Sequence, residues 1–172
     1  RAVAFDRPLA HHGTGAIQPV AELVQRMMEL APGLGRSHTD ATQAVGKIRV
    51  NFHKLGVDTL AASAHKFNGP AGIGLLLIRR AKPWAPQTVG GGQELGRRGG
   101  TPSVALAVGM ACALDLAHEQ MAIRQAHCLE LRQALLNRLW SACGPLEVIG
   151  PPEGRGLAHT VLARFPGVKA GL

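Results

Sequence analysis

Five polar residues with chemically useful side chains follow two apolar stretches of the sequence. The segment HTDATQAVGK covers residues 38–47, and the segment SAHKFNGP covers residues 63–70. The polar residues are Asp40, Gln43, Ser63, His65 and Lys66. An amine at the end of a buried strand loses hydration, which makes it a better nucleophile toward aldehydes. The two segments could therefore carry out covalent chemistry on a carbonyl compound.

The same side chains meet the requirements of a pyridine aldehyde cofactor. A carboxylate such as that of Asp40 can hold a pyridine nitrogen protonated, which makes the ring an electron sink. Gln43 offers a donor for a phenolic oxygen, and the hydroxyl and imidazole beside the lysine offer donors for a phosphate. The set fits pyridoxal phosphate. Ordinary interpretations stay open: Asp40 could cap the segment after it, Gln43 could be a surface residue, and Lys66 could be a solvated lysine before a turn.

The elements that must position these residues are predicted by hydrophobic periodicity. Residues 2–5 predict a short strand that Asp6-Arg7-Pro8 ends, and residues 20–31 predict an amphipathic helix. Residues 57–62 and 73–80 predict two apolar strands. This alternation indicates an α/β sheet, in which ligands bind at the carboxyl ends of the strands.

The second half of the sequence predicts two helices. Thr101-Pro102 suits a helix start with the threonine as N-cap, and residues 104–114 are apolar on nearly all sides, which predicts burial. Farther on, a single apolar stripe predicts a surface helix, with Cys128, Leu131, Leu135 and Leu139 in the stripe.

The three cysteines lack CxxC spacing and are expected to be reduced core thiols of a cytoplasmic protein; they are Cys112, Cys128 and Cys143.

Composition excludes some classes of partner. The formal charge of +8 would suit a nucleic-acid binder, but the basic residues are spread along the chain without interleaved aromatic residues. We interpret them as a solvated basic surface and expect no nucleic-acid partner. Apolar runs are too short to span a membrane, so no membrane partner is expected. The sequence does not begin with Met, which suggests that it begins inside a longer protein.

Three longer segments carry a family resemblance: HTDATQAVGK, LGVDTLAASAHKFNGPAGIGLLLIRR and GGGQELGRRGGTPSVALAVGMACAL. They resemble the core of the cysteine desulfurases, in the class V branch of the pyridoxal-phosphate-dependent aminotransferase fold, and the likeness runs from Thr14 to Gly167. It implies an α/β fold, namely part of the fold-type I large domain, with a mixed, mainly parallel sheet and flanking helices. Residues 1–122 would belong to that domain. Residues 123–172 would form a connecting helix and the start of a small C-terminal α+β subdomain.

The resemblance assigns a role to each of the five polar residues. Lys66 is the catalytic residue that binds the cofactor covalently and later moves a proton. Asp40 pairs with the pyridine nitrogen, and Gln43 donates a hydrogen bond to the ring oxygen. Ser63 and His65 hold the phosphate.

Two further assignments depend on the resemblance alone. Thr101 would reach the phosphate bound by the other subunit, which implies a homodimer. The family's NNETG is HHGTG here, so His12 takes the place of the asparagine that faces cofactor and substrate; it could donate one hydrogen bond or have no role.

The pair His11-His12 is not expected to bind a metal. PGLGRS also replaces an apolar strand, so the strand carrying Asp40 is expected to be short or displaced.

The implied reaction converts L-cysteine to L-alanine and passes the sulfur through an enzyme persulfide to an acceptor, such as an iron-sulfur scaffold protein or a thio-cofactor pathway. The family's persulfide cysteine follows the FPGV of residues 165–168 at some distance, so it is expected beyond Leu172, and this chain alone is expected to be inactive. Alternatives are a selenocysteine lyase, another class V enzyme, or a degenerate non-catalytic scaffold, which the altered HHG and PGLGRS segments favour.

Overall fold

The structure, a computed structural model, describes residues 3–33, 35–80, 82–152 and 154–168. Its main sheet has four strands in the order β1-β2-β3-β4. The strands are β1 (Val3–Pro8), β2 (Gly35–Asp40), β3 (Thr59–Ser63) and β4 (Gly74–Ile78). The first three run parallel and β4 is antiparallel to β3. The predicted mixed, mainly parallel sheet is confirmed.

Four α-helices flank the sheet or extend from it: α1 (Val20–Leu30), α2 (Phe52–Leu55), α3 (Val104–Glu119) and α4 (Met121–Cys143). Two short 3-10 helices and a two-stranded antiparallel sheet complete the described elements: Ala64–Phe67, Gln93–Gly96, β5 (Glu147–Val148) and β6 (Ala163–Arg164). The main core lies between α1 and the sheet, where Val20, Val24 and Leu60 are almost fully buried. None of the helices in the described ranges is both long enough and apolar enough to cross a membrane.

Strand β1 is longer than predicted. Asp6-Arg7-Pro8 continues the strand instead of ending it, and the pairing with β2 runs from Val3 opposite Gly35 to Pro8 opposite Asp40. The acid and the arginine point to opposite faces of the strand and are both exposed, so they do not oppose strand formation. A proline is tolerated at the last position of an outer strand, where its missing N–H matters little.

Strand β2 is neither short nor displaced, which corrects the expectation from PGLGRS. It has six residues and lies between β1 and β3. Arg36 is exposed, and the buried Ser37 exchanges hydrogen bonds with Asp58: Ser37 N–H donates to Asp58 Oδ2 at 2.9 Å, and Asp58 N–H donates to Ser37 Oγ at 2.9 Å. Lys82 Nζ lies 3.0 Å from Asp58 Oδ1. The buried polar groups are therefore paired, so the strand does not carry the cost expected for unpaired ones.

Helix α3 begins later and is less buried than predicted. Ser103, and not Thr101, occupies the N-cap position, and its side chain makes no capping hydrogen bond. Within α3, only Met110 and Ala117 are buried, whereas Val104 is 72% exposed. An all-apolar sequence thus packs on one side only in this chain.

Helix α4 also buries a different residue from the predicted stripe. Leu136 is buried, while Leu131 and Leu135 are exposed. The cysteines are not core residues either, since Cys112 and Cys143 are exposed and Cys128 is half-buried; all three thiols are free.

Candidate active site

The carboxyl ends of three adjacent parallel strands carry most of the predicted site residues. His12 follows β1, Asp40 ends β2, and Ser63 ends β3 immediately before the 3-10 helix that contains Lys66. Asp40 is paired in register with Ala61, two residues before the end of β3. Since parallel strands end at one edge of a sheet, these side chains share a single edge.

The Asp40 carboxylate is held by the turn that follows β2. Its Oδ1 accepts a hydrogen bond of 2.8 Å from the backbone N–H of Thr42. This is the capping contact that the sequence left open for Asp40. In the described ranges the side-chain hydrogen bonds of Asp40 involve Oδ1 alone, so one local bond orients the carboxylate and leaves Oδ2 for a ligand.

Gln43 lies on the same turn and contacts a residue for which no role was predicted. Lys47 Nζ is 3.5 Å from Gln43 Oε1, and both side chains are half-buried. Burial, and secondly the positive charge of Lys66, lower the pKa of Lys47. Lys47 therefore belongs to the same group of side chains as Lys66. Its spacing of four residues from Gln43 is the signal in the sequence that could have found it.

The segment after β3 is a tight 3-10 turn with a buried base. Ala64 N–H donates to Ile73 O at 3.1 Å, and Phe67 is almost fully buried against α3. Ser63 Oγ and His65 Nδ1 lie 2.9 Å apart, so the two predicted phosphate-binding side chains already contact each other. Lys66 itself is exposed, which corrects the expectation that burial desolvates it in this chain.

The HHGTG loop has a defined hydrogen-bond pattern. His11 Nδ1 accepts from the backbone N–H of Thr14 at 3.1 Å, which requires that this nitrogen carry no proton. The exposed ring of His12 stacks on His11, with centroids 5.0 Å apart. The loop is held by the segment that follows β5, where Leu157 N–H donates to Gly15 O at 2.8 Å.

The turn after Leu157 places one more titratable group near the strand ends. Burial, and secondly the positive charge of Lys47, lower the pKa of His159. His159 thus lies close to Lys47, although no role was predicted for it. No pattern in the sequence identifies His159 as a neighbour of Lys47, because more than 100 residues separate the two positions and only the fold brings them together.

Thr101 is a predicted site residue that the described contacts do not join to this group. It is exposed and precedes α3, and none of the hydrogen bonds found in the described ranges links it to the strand ends. Helix α3 does pack on the 3-10 helix of Lys66 through Met110 and Phe67.

The residues present fit a phosphorylated pyridine aldehyde. A carboxylate, an amide, an amine, a hydroxyl and an imidazole follow two neighbouring strands, and the carboxylate keeps an oxygen for a ring nitrogen. A metal site has less support, because within the described residues no three His, Cys, Asp or Glu side chains form a group that could hold a metal ion.

The chain is similar to several known proteins. An IscS-like cysteine desulfurase of Mycobacterium tuberculosis is 40% identical over 158 residues, which cover 92% of this chain and 39% of the relative. The rat selenocysteine lyase is 40% identical over 146 residues, or 79% of this chain and 34% of the relative. A solved NifS-like protein matches 97% of this chain and 45% of its own length, with a TM-score of 0.88 and 35% identity.

The fold of the chain is thus that of the NifS-like proteins, and the chain spans less than half the length of these relatives. The model of the aminotransferase class V family matches residues 9–171, nearly the whole chain. On this match, the chain belongs to the aminotransferase class V family.

Proposed function

We propose that this chain is the cofactor-binding part of a pyridoxal-phosphate-dependent cysteine desulfurase, which takes the sulfur from L-cysteine and leaves L-alanine. The observation that carries the proposal is that Asp40 and the Lys66 segment follow neighbouring parallel strands at one sheet edge. The names of the cysteine desulfurases that are about 40% identical to the chain over the aligned residues support the substrate.

Each side chain has a role that follows from its chemistry. The Lys66 amine binds the cofactor aldehyde and, when displaced by substrate, is positioned to move a proton at the substrate α-carbon. The Asp40 carboxylate accepts a hydrogen bond from the protonated ring nitrogen, and the Gln43 amide donates one to the ring oxygen. Ser63 and His65 hold the phosphate, and His12 faces the bound ligand from the end of β1. When bound, pyridoxal phosphate supplies the electron sink of the reaction.

The partners are part of the same proposal. We infer a homodimer in which Thr101 reaches the phosphate bound by the other subunit, and a sulfur-acceptor protein such as an iron-sulfur scaffold. We also propose a cytoplasmic location, with residues 1–122 in the large domain and 123–172 starting a small one. The exposed apolar side of α3 supports the dimer, because such a surface is expected to be covered.

A second candidate is a selenocysteine lyase. The rat enzyme is as similar to the chain as the cysteine desulfurases are, with 40% identity in the aligned residues. Sequence identity therefore supports this candidate equally. Both reactions release alanine, so the rate of alanine formation from L-selenocysteine and from L-cysteine, measured on a protein that includes the remainder of the enzyme, distinguishes the two.

Covalent trapping tests the proposed cofactor. We expect the chain mixed with pyridoxal phosphate to develop a visible absorbance band, and borohydride reduction to fix the cofactor on the peptide containing Lys66. Lys66→Ala should abolish the band and the labelled peptide. Lys54→Ala, which removes an exposed lysine of α2, should leave both intact. Labelling that is spread over several lysines, or that persists in Lys66→Ala, would contradict the assignment.

A further inference from the structure

We propose that Lys47 is a positioning residue that determines which end of the Gln43 amide faces the cofactor. The inference rests on the proposed function and adds to it a residue that would act through Gln43. Its basis is the contact of 3.5 Å between Lys47 Nζ and Gln43 Oε1, made by two half-buried side chains beside the strand ends.

The chemistry of the two groups fixes the orientation. A glutamine amide has an acceptor end and a donor end, and either can point into a site. A lysine ammonium only donates hydrogen bonds, so its partner in the amide must be the oxygen. Because Lys47 contacts Oε1, the NH₂ group of Gln43 is turned away from Lys47 and remains free to donate. A donor is what the phenolic oxygen of the cofactor requires.

Lys47 is well placed for this role because its backbone is anchored. Its N–H donates to Ala44 O at 3.0 Å, and its carbonyl oxygen accepts from the Gln125 side chain of α4. The preceding Gly46 has a φ of +76° and approaches so closely that a Cβ there would lie 2.6 Å from Phe67 Cβ. A side chain at Gly46 would therefore push the turn away from α3 and the Lys66 segment.

Loss of the ammonium should have a definite spectroscopic effect. Without Lys47 the Gln43 amide can turn its oxygen toward the cofactor, where it repels the phenolate instead of stabilising it. With cofactor bound, the loss of this donor would make the site give up a proton less readily. The pH midpoint of the visible band should rise in Lys47→Met by roughly one pH unit, the usual effect of one lost hydrogen bond to a charged group.

A double-mutant cycle separates positioning from a direct charge effect. We would titrate the visible band of the wild type, Lys47→Met, Gln43→Ala and the double variant. If Lys47 acts through Gln43, the double variant has the midpoint of Gln43→Ala alone. If Lys47→Met shifts the midpoint equally in both backgrounds, Lys47 acts by its charge and the inference is overturned. Lys47→Arg should restore the wild-type midpoint, and Lys54→Met should leave it unchanged.

A second measurement tests the contact without cofactor. The side-chain NH₂ resonances of Gln43 in the ¹⁵N spectrum of the cofactor-free chain should move in Lys47→Met and stay in place in Lys54→Met. Unmoved resonances would overturn the inference. Failure of the proposed function has a different signature, namely a wild-type chain that forms no visible band and no adduct at Lys66.

Discussion

The Lys47 ammonium lies near two other titratable side chains at the strand ends, Lys66 and His159. Its own pKa is lowered by burial and by Lys66, and its charge, after burial, lowers the pKa of His159. A lowered pKa means that the neutral imidazole is favoured in the folded chain. The residues around the proposed cofactor site therefore resist the addition of another positive charge.

The neutral state of His159 predicts a pH dependence of stability. The ordinary pKa of the group is 6.5 and the folded pKa is lower, so below about pH 6.5 the unfolded chain binds a proton that the folded chain does not. The contribution of His159 is thus complete above that pH and is lost as the pH falls toward the folded pKa. We expect His159→Gln to lose less free energy of unfolding than the wild type between pH 7.5 and pH 5. The difference should be below about 1 kcal/mol, because solvent screens the partly exposed ring.

Urea unfolding at several pH values measures this difference. His53→Gln, at an exposed histidine of α2, is the matched control and should retain the wild-type dependence on pH. Equal slopes in wild type and His159→Gln would contradict the lowered pKa.

At the scale of elements, β2 shows how a polar sequence can occupy a central strand. Burial opposes ionisation of Asp58, but the Ser37 N–H bond and the contact with Lys82 outweigh it and lower the pKa of Asp58. Asp58, the residue before β3, thus pairs both groups of Ser37: its carboxylate accepts from the Ser37 N–H, and its backbone N–H donates to Ser37 Oγ. From the sequence alone, Arg36-Ser37 is expected to destabilise a buried strand. The compensating acid lies 21 residues away and contacts Ser37 only in the folded sheet.

Removal of that acid should destabilise the sheet. We expect Asp58→Ala to lower the free energy of unfolding by about 2 kcal/mol or more, because the buried Ser37 N–H loses its acceptor and Lys82 loses its partner. Asp6→Ala removes an exposed acid of β1 and should change stability by less than about 0.5 kcal/mol. Urea unfolding measures both, and equal effects would show that the Asp58 bonds contribute nothing particular to β2.

The types of the elements were predictable from local pattern, whereas their limits were not. The helix at Val20–Leu30 and the strands on both sides of Lys66 follow from hydrophobic periodicity and from the Asn-Gly-Pro turn. The N-cap of α3 is Ser103 and not Thr101, because both are N-cap residue types and the sequence does not decide between them. The strand-end residues could be predicted from their types and from the family resemblance, but the contacts of Lys47 needed the fold.

At the scale of the whole molecule, several large apolar side chains are exposed to solvent. Val104, Val108 and Leu116 of α3 are 72%, 56% and 49% exposed. A cavity of about 540 Å³ also lies beside the sheet, with Leu60, Leu75 and Leu77 among its lining residues. An apolar sequence predicts that a surface is buried, but it does not say whether the surface packs against the same chain or against another one. The predicted burial of residues 104–114 was wrong for this chain for that reason.

The exposed side of α3 predicts self-association of the chain. If two copies pack through this surface, Val104→Lys/Val108→Lys should weaken the association by about 100-fold or more, because two valines lose apolar burial and two charges must be desolvated. Sedimentation velocity over a range of concentrations measures the shift from dimer to monomer. The melting temperature of the dilute variant should stay close to that of the wild-type monomer, because both valines are exposed there.

A control with equal charge distinguishes a lost apolar contact from general repulsion. Gln133→Lys/Asn137→Lys adds the same two charges, four residues apart, to an exposed polar part of α4. This variant should associate like the wild type at moderate ionic strength, where charges distant from an interface are screened. If both double variants dissociate equally, net charge governs the association and α3 is not the interface. If neither changes the sedimentation of the wild type, the copies meet elsewhere or not at all, and Thr101 loses the dimer contact proposed for it.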